Sequence, residues 1–158
     1  MQKVVFLLLV LTFLTGCTNP KTIPTSNKNE EESTNIVPPP TGEDIIRTFY
    51  NLINEKRIDE AIGMMSNYLI NDEVKKQAWK KQFLTIQSIK VTEIEPHNTE
   101  EWTDLRKLYK LTLDATISEE GANAPIPYYG WNNGINIFWA SLDKENGVWK
   151  FGGTSTGP

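Results

Sequence analysis

The hydrophobic period of this chain changes once, at Leu84, and that change limits the folds open to it. Before Leu84 the apolar residues recur at helical spacing; after it they alternate. Ile45, Ile46, Phe49, Tyr50 and Ile53 share one face of a 3.6-residue repeat. Thr41-Gly42-Glu43-Asp44, just ahead, offers a cap at Thr41, acidic residues in the first turn and a carboxylate three residues on. A first helix is therefore expected to run to about Lys56. Asp59 is placed to cap a second, shorter one carrying Ala61, Ile62, Met64 and Met65, with the methionines read as core filling. Asn71 or Asp72 can start a third, with Val74, Ala78 and Phe83 on one face and Trp79 covering its edge.

Beyond Leu84 the spacing predicts strands over residues 86–94, 106–117, 134–142 and 148–152. The second is the clearest. Tyr109, Leu111, Leu113, Ala115 and Ile117 fall on one face, and Lys110, Thr112, Asp114 and Thr116 on the other. Asn146-Gly147, within Asp143-Lys144-Glu145-Asn146-Gly147, supplies the positive φ values of a tight hairpin turn. Helices followed by strands, with no crossover helices between the strands, make an α+β fold on an antiparallel sheet.

Phe49-Tyr50-Asn51-Leu52-Ile53 followed by Arg57-Ile58-Asp59-Glu60-Ala61 resembles the opening of NTF2-like (cystatin-like) domains. The closing Gly147-Val148-Trp149-Lys150-Phe151-Gly152-Gly153, a terminal strand carrying a tryptophan, is similar to theirs too. The resemblance spans about residues 43–153 and rests on short motifs. It implies N-terminal helices packed on a curved antiparallel sheet, a cone with a pocket at its heart, and sheets that often pair as homodimers.

The amino-terminal stretch addresses location. Lys3 precedes an apolar run from Val4 to Leu14, and Leu14-Thr15-Gly16-Cys17 follows. A permanent membrane helix needs roughly 20 apolar residues, so this run fits the core of a secretion signal. Leu14, Thr15, Gly16 and Cys17 together resemble the lipobox of bacterial lipoproteins. That resemblance implies cleavage before Cys17, a diacylglycerol thioether on its sulfur and an extracytoplasmic, membrane-attached protein. Cys17 is the chain's only cysteine, so it has no disulfide partner within the chain. Each buried lipid methylene would add about 0.8 kcal/mol to attachment.

The organisation expected is a signal over residues 1–16, a tether over 17–41 and an α+β domain over 42–158. The tether is rich in Asn, Thr, Ser, Lys and Pro, with Glu30-Glu31-Glu32 and Pro38-Pro39-Pro40. Such a composition buries too little to offset the cost of ordering. Net charge is -4, and no Lys/Arg stripe exists to neutralise phosphates, so nucleic acid is not an expected partner.

Chemistry is sparse. His97, the one histidine, lies in Glu95-Pro96-His97-Asn98-Thr99 and reads as a solvated loop residue. Metal-ligand spacing is absent, and no cofactor is expected. Gly152-Gly153-Thr154-Ser155-Thr156-Gly157 lacks the lysine and following helix of a phosphate loop. NTF2-like enzymes pair a pocket Asp with Tyr or His. Here Tyr109 and Asp114 are the only analogues, and alternation puts them on opposite faces, so no catalytic residue carries over.

Between residues 119 and 133 a long loop holds Tyr128, Tyr129 and Trp131. These rings are expected either to fold back and close the open end of the sheet or, with Trp139, to act as candidate ligand contacts, amphipathic rings suited to a sugar or peptide. Trp139 and Trp149 lie on strands joined by the hairpin and read chiefly as packing. The function expected is non-catalytic binding of a small molecule or a cell-envelope partner. An NTF2-like enzyme, or a module positioning an envelope protein, are the alternatives.

Overall fold

The computed structural model describes residues 38–120 and 132–158, which fall in one unit spanning residues 37–158. The secretion signal, Cys17 and nearly all of the tether lie outside the described residues. Among the described residues four helices come first: α1 (Gly42–Asn54), α2 (Ile58–Gly63), α3 (Asn67–Ile70) and α4 (Glu73–Leu84). Strands β1 (Ile86–Pro96), β2 (Arg106–Ile117), β3 (Gly134–Glu145) and β4 (Val148–Ser155) follow, with a 3-10 turn at Thr99–Glu101. Each strand pairs antiparallel with the next, in the order β1-β2-β3-β4. The fold is α+β, helices on an open antiparallel sheet.

The start of α1 is fixed locally. The Thr41 hydroxyl accepts from the Asp44 amide at 3.2 Å, while the Asp44 carboxylate accepts from the Thr41 amide at 2.9 Å. The Thr41 hydroxyl and then the Thr41 amide hold the Asp44 carboxyl below its ordinary 3.8. A depressed carboxyl pKa stabilises the fold above the unfolded value, and the contribution is lost as pH falls through the folded one. Asp44→Asn is therefore expected to lower the denaturant midpoint at neutral pH and to match the parent well below pH 3.8. A midpoint gap that stays constant with pH would remove the carboxylate from this account.

At its other end α1 stops at Asn54, short of the expected Lys56. Lys56 takes a left-handed φ of 63°, the position after a helix that glycine usually fills. Its ammonium donates to the carbonyls of Ile86 and Gln87, and Asn54 Oδ1 accepts from the Ile89 amide at 3.1 Å. These bonds stitch the helix end to β1.

Two helix expectations need correction. Asp59 does not cap α2, which begins at Ile58 after Arg57. Its carboxylate instead accepts from the Lys80 ammonium on α4 at 2.7 Å. Asp72 does cap α4, accepting from the Lys75 amide at 2.8 Å. Val74, however, is 80% exposed. Only the C-terminal half of α4 meets the core, through Gln82 and Phe83, with Trp79 stacked on Phe83 at 5.4 Å. The helix α3 was not expected from the sequence, because four residues are too few to display a period.

In the sheet, Tyr109, Leu111, Leu113 and Ala115 are buried, as their alternation predicts, with Phe138, Ala140 and Leu142 of β3 and Phe151 of β4 beside them. Against this face α1 lays Ile46, Phe49 and Ile53, each at most 1% exposed. Alternation fails in β1, where register shifts at Ile86/Ser88 and Val91/Glu93 let Ile94 return to the core. The hairpin turn is Asn146 (φ 50°) and Gly147 (φ 83°) alone, so β3 reaches Glu145. The last strand, expected to end at Gly152, continues to Ser155. No helix among the described residues is long and apolar enough to cross a membrane.

Candidate functional site

A cavity of about 720 Å3 opens where the helices meet the C-terminal part of β4. The helices contribute Phe49 and Tyr50 from α1, Tyr68 and Leu69 from α3, and Trp79, Gln82 and Phe83 from α4. The sheet contributes Phe138, Trp139 and Ser141 of β3 and residues 151–155 of β4. Phe138 and Phe151 belong to the helix-facing side of the sheet, whereas Trp139 and Ser141 alternate with it. Lining from both faces means that the hollow passes around β4, the edge strand.

The wall is built from rings. Phe49 stacks on Phe151 with centroids 3.8 Å apart, and meets Tyr50 and Phe83 edge-on at 5.2 and 5.7 Å. Among the described lining side chains only Glu101 and Arg106 carry charge, both on exposed residues. Arg106 lies 3.8 Å from the Asp143 carboxylate, a loose and solvated pair. Burial pushes the Tyr50 phenol far above its usual range, so at neutral pH it is a neutral hydrogen-bonding group and no base. The indole Nε1 of Trp139 is buried with no partner among the described residues.

Of the four expected ligand contacts, Trp139 lines the cavity, while Tyr128, Tyr129 and Trp131 lie outside the described residues. Tyr109 and Asp114 stand as alternation predicts. Tyr109 is buried facing the helices, Asp114 is exposed on the opposite side, and neither lines the cavity. Burial, and then the Glu43 carboxylate, raise the Tyr109 phenol. Trp149 is a packing residue, half-buried beneath the ammonium groups of Lys107 (4.9 Å) and Lys144 (5.4 Å).

His97 differs from its expectation as a solvated loop residue. Its amide donates to the Leu108 carbonyl at 3.0 Å, its own carbonyl accepts from Trp102 Nε1, and its ring meets Trp139 at 5.9 Å. Strand pairing runs one residue past Pro96 and draws the imidazole against that indole. No group of three His, Cys, Asp or Glu among the described residues is placed to hold a metal.

Sequence reasoning missed the helix side of the cavity. Phe49, Tyr50 and Phe83 read as core because their stripe is core, and Tyr68 and Leu69 lie on a helix with no periodic signal. Comparison with protein-family models and with curated proteins finds no match for this chain.

Proposed function

We propose that this chain is a lipid-anchored bacterial surface protein. Its NTF2-like α+β domain binds a small molecule or an envelope partner in the cavity beside β4. The observation that carries the reading is the cavity itself, about 720 Å3 with aromatic walls and, among the described lining side chains, charge only at exposed Glu101 and Arg106. Binding sites for organic ligands are typically concavities of roughly 300–1,000 Å3, mostly apolar with few polar groups. The NTF2-like cone is supported by α1 lying against β1 and β4 of a four-stranded antiparallel sheet. Binding is favoured over catalysis because Tyr109 and Asp114, the two analogues of family catalytic groups, stand on opposite faces and away from the cavity.

The test is a thermal-shift screen of the whole chain in detergent against aromatic metabolites, sugars and wall fragments. A ligand at a hundred times its Kd adds about 2.7 kcal/mol to stability, which is a rise of several degrees in melting temperature. Trp79→Ala should abolish that rise. A hit whose shift survives Trp79→Ala binds elsewhere, and a flat screen refutes the small-molecule form of the proposal.

The anchor is tested separately. Cys17→Ser is expected to move the protein from the membrane fraction to the soluble one, or to leave it as an unprocessed precursor. Unchanged partitioning and mass would end the lipoprotein reading.

A further inference from the structure

We infer that the occupant of this cavity is an extended polypeptide that adds itself to the outer edge of β4. This inference rests on the cavity reading above and narrows it to one partner chemistry. β4 ends the sheet, so one row of its amides and carbonyls faces away from β3. The first part of that row is already paired. The Phe151 amide donates to the Met64 carbonyl at 2.8 Å, and the Phe151 carbonyl accepts from the Ser66 amide at 2.9 Å, a single parallel bridge. The chain then turns into α3, which makes no further backbone bond to the edge among the described residues, although its Leu69 side chain lies beside Gly153.

The ladder does not end there. Leu142 pairs with Phe151 and Ala140 with Thr154. Leu142 and Ala140 are two residues apart on β3 and present their backbone groups in the same direction. Their partners therefore do likewise, so Thr154 turns its N–H and C=O outward as Phe151 does. Gly152 is the extra residue at the register shift between them. No residue of 152–155 has an outward backbone partner among the described residues. A backbone row that begins a ladder and then goes unpaired is a template for another strand.

Natural edges are guarded by lysine, proline or covering elements. This one reads Gly152-Gly153-Thr154-Ser155, without charge or proline. The hollow runs along it and supplies what a strand needs besides hydrogen bonds, namely room for alternate side chains. One phase of those side chains would meet Leu69, Trp79 and the 77% exposed Tyr68, and the other would meet Trp139. One polar group lining the hollow also lacks a partner among the described residues, Trp139 Nε1. A small apolar solute would fill the hollow and leave the Thr154 amide bare. An extended peptide would fill the hollow and pair with that amide.

The test uses the whole chain in detergent and a labelled pool of short blocked peptides. Threonine alternates in them with positions randomised among valine, isoleucine, tyrosine and phenylalanine, and lysine at each end keeps them soluble. Binding is followed by fluorescence anisotropy, with indole as a small-solute probe alongside. Saturable binding of the pool is expected. It should weaken about tenfold, the equivalent of about 1.4 kcal/mol, for the same pool with backbone esters in place of amides. Thr154→Pro, which deletes the outward N–H, should weaken it similarly, and Thr154→Ala should not. If Thr154→Pro fails to fold, the ester comparison decides alone. Equal binding of amide and ester pools means that side chains alone enter the hollow, and overturns the inference while sparing the cavity reading. Indole binding without peptide binding does the same. Binding of neither overturns both.

Discussion

Phe49→Ala is expected to cost the domain about 3–5 kcal/mol, the range for truncating a fully buried aromatic side chain. Phe49 is 1% exposed and touches three other rings, from α1 itself, α4 and β4. Each aromatic pair is worth about 0.5–1.5 kcal/mol beyond the area it buries, and alanine deletes all three at once. The neighbours cannot close the gap cheaply. Tyr50 and Phe151 are themselves almost wholly buried, and the hollow beside them means there is little on that side to collapse inward. Denaturant unfolding followed by far-UV circular dichroism would measure the loss. A cost below about 1 kcal/mol, the centre for ordinary substitutions, would show that Phe49 belongs to the ligand cavity and adds little to the core.

The second large effect reverses a usual sign. In an exposed helix interior, replacing glycine by alanine gains about 0.8–1.0 kcal/mol of helix propensity, and Gly42 is the first residue of α1. Here a Cβ would sit 2.6 Å from Tyr109 Cζ and closer still to its hydroxyl. Tyr109 is 4% exposed and packed against Trp102 with centroids 5.1 Å apart, so its ring has nowhere to go. Gly42→Ala should therefore destabilise by about 1–3 kcal/mol, the usual cost of overpacking. The same substitution in a Tyr109→Leu background should recover most of that loss, because the two residues are in contact and couple. Stabilisation by Gly42→Ala alone would show that the ring yields.

Both effects depend on contacts between residues distant in sequence, and this separates what could be read from the chain from what could not. The helix-to-strand switch at Leu84, the cap at Thr41, the face of β2 and the turn at Asn146-Gly147 are local. A hydrophobic period, a capping hydroxyl and a positive φ leave their marks within a few residues. Those signals gave the α+β class, and they gave the separation of Tyr109 from Asp114. Val74 and Asp59 misled because a periodic or capping residue type says what a side chain can do, not which neighbour reaches it. Val74 faces solvent since only the far half of α4 is covered, and Asp59 is taken by Lys80 of another helix.

The cavity was the least legible part. Its wall joins rings from α1, α3, α4, β3 and β4, and no spacing rule relates residues that far apart in the chain. Phe49 and Phe83 carry the same periodic signature whether the space beside them is filled or hollow. The sequence by itself determined the class of fold, the order of helices before strands and the face that β2 buries, because period and turn chemistry are short-range. Only the tertiary structure decided that Met64–Ser66 would pair with β4 for a single rung. That depends on where the helices come to rest against the sheet, and among the described residues it leaves the outer edge of β4 beyond Phe151 without a backbone partner, beside an aromatic hollow.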